Sequence, residues 1–87
     1  MDLREVFAAN LRRLRHEKGI SQENLAYEAG VNRTYLSKLE KGASYVGLEI
    51  IGKLSAVLET EPAEFLRLSH KGSDASTDEN EFTPPMK

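Results

Sequence analysis

The sequence contains no cysteine among its 87 residues. That absence excludes disulfide bonds and metal sites built on thiolates, and it fits a reducing compartment. The two histidines, His16 and His70, are not spaced as metal ligands, so we expect no zinc site and no cofactor. The sequence also lacks a recognisable order of serine, histidine and acid, and so small a chain has little room for a substrate pocket. An enzyme is therefore a poor interpretation.

Long apolar runs are absent as well. No stretch approaches the roughly 20 residues that cross a membrane. The charged opening residues, 1–5, predict no secretory signal. The length allows one domain and no more. We therefore expect a single-domain cytoplasmic protein with no membrane partner.

The net charge of −2 argues mildly against a nucleic-acid partner, but the charges are unevenly placed. Residues 72–87 carry one basic and four acidic side chains, whereas residues 1–71 carry eleven basic and ten acidic ones. A near-neutral domain must bind phosphate with one local face. Beyond His70 the chain is rich in Gly, Ser, Asp, Thr and Asn, a composition that cannot bury a core. We predict a domain over residues 1–70 and an acidic, disordered tail over residues 71–87.

Apolar residues at three- and four-residue spacings predict an all-α fold of five helices. The first helix runs from Leu3 to about residue 18, and the fourth runs over residues 48–58 with Leu48 on its apolar stripe. Gly52 inside the fourth helix costs roughly 1 kcal/mol against alanine, which indicates a close helix contact that needs the space. Pro62 fits the first turn of a short fifth helix.

A twenty-residue window, 22–41, carries the most information. Ser21 and Asn32 are N-cap residues for two short helices, and Gly30 lies at the corner between them. Gly30 can adopt the left-handed conformation that a tight corner requires. The remaining positions suit two crossed, packed helices: Leu25, Ala26, Ala29, Val31, Leu36 and Leu39. The window predicts two helices that meet at a steep angle.

This window resembles the helix-turn-helix of the phage lambda repressor and Cro family, also called the Xre family. The resemblance extends to residues 10–15, 19–26, 35–42 and 48–58, and it covers about residues 3–68. It implies a five-helix lambda-repressor-like domain whose third helix enters the major groove of double-stranded DNA.

The resemblance also implies roles for individual residues. Arg33, Thr34 and Lys38 stand where such proteins touch base edges, and arginine and lysine suit guanine O6 and N7. The alternative is an ordinary solvated helix face. Accessory contacts to sugar, phosphate or a thymine methyl are expected from Arg15, Ser21, Gln22, Tyr35, Ser37, Lys41 and Tyr45. For Ser21 a simple cap, and for Tyr45 an ordinary loop with a half-buried tyrosine, remain equally open.

Two further features follow from the resemblance and from domain size. The family commonly pairs an arginine and a glutamate at the positions of Arg15 and Glu40, joining the first helix to the third; unrelated surface charges are the alternative. Phe65, Leu66 and Leu68 near the end of the domain are either core or a two-fold dimer contact, and we expect part of that face to form a homodimer.

The leading functional hypothesis is a dimeric repressor or activator on a pseudo-palindromic operator. Restriction-modification controllers and some phage and plasmid regulators of this family have the same minimal build. The competing hypothesis is an antitoxin or interaction module whose acidic tail folds on a protein partner.

Overall fold

Side-chain caps mark the starts of the first three helices. The computed structural model describes residues 1–68, with α1 at Leu3–Lys18, α2 at Gln22–Ala29, α3 at Arg33–Glu40, α4 at Leu48–Leu58 and a 3₁₀ helix at Pro62–Leu66. The side chains of Asp2, Ser21 and Asn32 accept hydrogen bonds from backbone N–H groups in the first turns of α1, α2 and α3. These N–H groups have no partner inside the helix, so each cap stabilises its helix start.

All regular secondary structure within residues 1–68 is helical, as the sequence predicts. The predicted fifth helix is a single 3₁₀ stretch and not an α-helix. No helix within residues 1–68 is both long and apolar enough to cross a membrane. The predicted tail, and with it the hypothesis of a protein partner bound by the tail, lies outside the described residues.

Glycines in the left-handed conformation end α1 and α2. Gly19 has φ 73° and Gly30 has φ 69°. At the second corner the Gly30 N–H donates to the Tyr27 carbonyl, and the Val31 N–H donates to the Ala26 carbonyl at 3.0 Å. Two of the last carbonyls of α2 are thereby satisfied where the chain turns into α3.

One core unites all five elements. Helix α1 packs against α3, α4 and the 3₁₀ helix, while α2 packs against α3 and α4. The buried apolar side chains of this core are Phe7, Leu11, Leu14, Leu25, Ala26, Ala29, Leu36, Leu39, Leu54, Leu58 and Phe65. The side chains that form this core thus also fix α3 against α1 and α2.

The 3₁₀ helix is fastened to α1 by an aromatic stack and a buried amide. Phe65 has no exposed surface, and its ring lies 5.1 Å from that of Phe7. The Asn10 side-chain nitrogen donates to the carbonyls of Phe65 at 2.9 Å and of Arg67 at 2.8 Å. Phe65 is therefore a core residue, and the prediction that it contributes to a dimer contact is wrong, because the turn after α4 directs its ring inward.

Helix α4 differs from its predicted packing at two positions. Leu54 and Leu58 are buried, but Leu48 at the helix start is 86% exposed because no described element covers that end of the stripe. A Cβ added to Gly52 would meet nothing within 4 Å. The expectation that Gly52 permits a close helix contact is therefore wrong.

Candidate nucleic-acid interface

Helix α3 has two chemically different faces. Leu36 and Leu39 are almost completely buried in the core. Arg33, Thr34 and Lys38 are exposed on the other side of the same helix. Because the core holds the apolar face, the orientation of the polar face relative to the domain is fixed.

A cleft between the start of α2 and the exposed face of α3 brings four predicted site residues together. It is lined by Gln22, Arg33, Thr34 and Ser37. The lining consists of an amide, a guanidinium and two hydroxyls, which are the groups that bond to base edges and phosphates. Lys38 and Lys41 are exposed one and two turns further along the chain from Arg33.

The basic side chains of this face are available to an anion. Within residues 1–68, Arg33, Lys38 and Lys41 form no salt bridge, whereas Arg4, Arg13, Arg15, Lys18, Lys53 and Arg67 each pair with a carboxylate. Three unpaired cations at and just after α3 give the near-neutral domain a local positive surface. Residues 1–68 hold no group of three histidine or acidic residues placed to bind a metal ion.

The ion pair expected between Arg15 and Glu40 is present. Arg15 Nε lies 2.5 Å and Nη2 lies 3.1 Å from the two Glu40 carboxylate oxygens, with side-chain exposures of only 14% and 6%. Arg15 Nη1 also donates to the Ile20 carbonyl at 3.1 Å, and Arg12 donates to the Glu40 carbonyl. This network joins the end of α1 to the end of α3 and so fixes the exposed face of α3.

Two residues at the start of α2 have partners inside the protein. Ser21 Oγ accepts a hydrogen bond from the Asn24 N–H at 3.0 Å, so the hydroxyl is an N-cap. The Gln22 side-chain nitrogen donates to Glu40 Oε1 at 3.2 Å. Sequence reasoning missed this second contact, since residues 22 and 40 carry no signal of contact beyond their places in the motif.

The loop after α3 is tied to that helix by Tyr35. Its hydroxyl donates to the Tyr45 carbonyl at 3.0 Å. Tyr45 is 76% exposed as a residue, and its ring lies beneath the Arg4 guanidinium, which is 4.7 Å from the ring centroid. The half-buried tyrosine considered as the alternative from the sequence is therefore not observed.

An apolar groove lies beside this loop, away from the cleft between α2 and α3. We use the term apolar groove for the surface lined by Leu3, Arg4, Phe7, Ser44, Tyr45, Val46, Leu48, Ile51 and Leu66. Leu66 is 46% exposed there. Leu68 is similarly exposed but lies in a separate cleft beside Val6 and Ala9. The three residues expected in one dimer contact are thus divided among the core, the apolar groove and a second cleft.

Two short helices joined by a three-residue turn, with a fixed polar face on the second helix, define a helix-turn-helix of the DNA-binding kind.

Comparison with known proteins agrees with this class. The helix-turn-helix family profile matches residues 11–65. Control protein C.BamHI of Bacillus amyloliquefaciens is 36% identical over 73 residues, which are 83% of this chain and 90% of that protein. The restriction-modification controller protein C.AhdI from Aeromonas hydrophila has a crystal structure that superposes with a TM-score of 0.69 at 42% identity, covering 71% of this chain and 94% of that chain.

A hypothetical transcription factor from Neisseria, NHTF, superposes with a TM-score of 0.75 at 38% identity, covering 80% of each chain. The chain belongs to the Xre and lambda Cro-like helix-turn-helix family. It is a DNA-binding transcription regulator.

Proposed function

We propose that the protein recognises a specific double-stranded DNA sequence by placing α3 in the major groove and contacting base edges with Arg33, Thr34 and Lys38. The observation that carries this proposal is the division of α3 into a buried face and an exposed basic face. The resemblance to proteins named control protein and restriction-modification controller favours a controller, or a phage or plasmid regulator of the same build. A regulator of this kind acts on DNA in the cytoplasm.

Contacts to the DNA backbone flank the reading helix in this proposal. Gln22 lies in the same cleft as Arg33, and Lys41 is exposed just after α3. The N-terminus of α2 and the exposed Tyr45 suit phosphates on either side of the groove. Arg15 is held mainly by Glu40, so its contribution to phosphate binding is secondary to its role in orienting α3.

Selection of bound sequences from random double-stranded DNA tests this function. We expect a defined inverted repeat to be enriched. Its affinity is expected to exceed that of random-sequence DNA by at least about 10³-fold, the lower end of the range for specific DNA-binding proteins. If no sequence were enriched at moderate salt, only nonspecific phosphate binding would remain, and this result would contradict the proposal.

We further propose that two copies associate through the apolar groove. A single reading helix contacts too few base pairs to define a site, whereas two copies related by a dyad place their reading helices about 34 Å and roughly 10 base pairs apart. Leu3, Leu48 and Leu66 expose apolar surface side by side in that groove. Burying such a patch against its own copy is a common route to a two-fold dimer.

Sedimentation of the wild type and of two matched variants tests the dimer. The chain mass is 9.7 kDa, and we expect the wild type at micromolar concentration to sediment at about twice that mass. Leu48→Asp is expected to give a folded monomer, while Tyr27→Asp is expected to remain dimeric. The comparison is matched because both side chains are 86% exposed, but Tyr27 lies on α2 outside the groove. A wild-type monomer, or equal effects of the two changes, would contradict this interface.

A further inference from the structure

The carboxylate of Glu40 has a second partner besides Arg15. Glu40 is buried, with 5% of its surface exposed. Its Oε1 accepts from Arg15 Nη2 at 3.1 Å and from the Gln22 side-chain nitrogen at 3.2 Å. The amide at the start of α2 is thereby connected to the buried ion pair that orients α3.

The chemistry of a carboxylate determines which way the Gln22 amide faces. An ionised carboxylate paired with arginine can only accept hydrogen bonds, so the amide must present its nitrogen to Glu40. The carbonyl oxygen is then directed away from Glu40. Within residues 1–68, no group donates a hydrogen bond to that oxygen. Gln22 lines the cleft together with Arg33, Thr34 and Ser37. Since its nitrogen is bound to Glu40, we expect its carbonyl oxygen to be a free acceptor on the cleft side.

A phosphate cannot use this acceptor, because phosphate oxygens only accept hydrogen bonds. In the major groove the donors are the exocyclic amino groups of adenine, N6, and cytosine, N4. A side chain free to rotate its amide would offer a donor or an acceptor equally. The bond to Glu40 holds the amide in the orientation that directs its nitrogen to the carboxylate and its oxygen away from it.

We propose that Glu40 is a positioning residue for DNA recognition, acting through Gln22, and that the fixed Gln22 carbonyl oxygen selects a base pair by accepting from an exocyclic amino group. This inference rests on the proposed function, since it assigns a base preference to the same site. It gives Gln22 a part in specificity in addition to the phosphate contact expected from the sequence.

The test is a panel of operators, each carrying one base-pair change from the selected sequence, measured with Gln22→Ala and Glu40→Gln. The loss of one hydrogen bond predicts that Gln22→Ala weakens the preference at one base pair by about two- to tenfold. The base at that position identifies the donor as adenine or cytosine. Glu40→Gln removes the acceptor-only partner of the Gln22 amide, so it is expected to weaken the preference at the same base pair. The double variant is expected to show the same preference at that base pair as Gln22→Ala alone.

Controls separate positioning from folding. Glu23→Gln removes a neighbouring exposed carboxylate from α2 and is expected to leave the preference unchanged. Should Glu40→Gln fail to fold, Glu40→Asp keeps the negative charge but draws the carboxylate back by one methylene from both Arg15 and Gln22. A partial loss of preference at the same base pair is then expected. Because Glu40 also pairs with Arg15, Glu40→Gln is expected to weaken binding to every operator to some extent. A purely structural role would give that uniform loss alone, with no change in preference at the base pair that Gln22 affects.

Failure of this inference is distinguishable from failure of the proposed function. A wild type that selects no sequence would refute the function itself. A wild type that selects an operator, together with a Gln22→Ala variant that loses affinity uniformly across the panel, would overturn only the inference and leave Gln22 as a phosphate contact.

Discussion

Replacing Asn10 by alanine removes the hydrogen bonds that fasten the 3₁₀ helix to α1. Asn10 is buried, donates to the carbonyls of Phe65 and Arg67, and accepts from Arg13 Nη2 at 3.2 Å. Each lost bond costs about 0.5–1.5 kcal/mol, and the buried Phe65 carbonyl left without a partner adds roughly 1–3 kcal/mol. Summing the two bonds that Asn10 donates and the unpartnered Phe65 carbonyl, we expect Asn10→Ala to lower the free energy of unfolding by about 2–6 kcal/mol.

That loss is large for so small a domain, whose stability at roughly 0.05–0.15 kcal/mol per residue is only about 3–10 kcal/mol. Urea unfolding followed by circular dichroism measures it. Asn24→Ala is the matched control, because Asn24 is exposed and its side chain forms no hydrogen bond within residues 1–68. The control is expected to stay within about 0.5 kcal/mol of wild type. Equal effects of the two substitutions would refute the role assigned to Asn10.

Two further predictions concern ion pairs. The first is a double-mutant cycle of Arg15→Met and Glu40→Gln, in which urea unfolding measures the free energy of unfolding. Each single change leaves a buried group unpaired, so the double variant is expected to lose roughly 0.5–3 kcal/mol less than the sum of the two single losses. Strict additivity would contradict the coupling. The hydrogen bond from Lys18 lowers the pKa of Glu59 below its ordinary value of 4.5. The stabilisation by this pair is therefore complete above pH 4.5 and is lost as the pH falls through the lowered pKa. Unfolding curves of wild type and Lys18→Met are expected to converge in that acid range, and a difference that persists at lower pH would argue against the pair.

Helix boundaries were predictable from the sequence because they depend on local chemistry. Ser21 and Asn32 cap their helices through bonds to backbone groups only three residues away. Gly30 ends α2 because glycine adopts positive φ without steric cost. The face that α3 exposes was also predictable, since the positions of Leu36 and Leu39 determine it by helical periodicity.

The burial of particular apolar residues was not predictable in the same way. Periodicity assigns Leu48 to an apolar stripe but does not say whether another element covers that end of the helix. The direction of Phe65 depends on the turn after α4, and it is secured by Asn10, 55 residues earlier in the chain. A polar residue on the apolar face of α1 was the available signal for Asn10. Contacts across such distances depend on the assembled fold, as does the bond between Gln22 and Glu40.

The central claim is that α3 reads base edges, and the binding of Arg33→Ala to DNA tests it most directly. Fluorescence anisotropy at fixed salt would compare wild type and variant on the selected operator and on a scrambled duplex of equal length. We expect the variant to lose about 1–3 kcal/mol on the operator, to lose much less on the scrambled duplex, and to discriminate less at one base pair. Equal losses on the two duplexes would make Arg33 a phosphate contact and contradict the account.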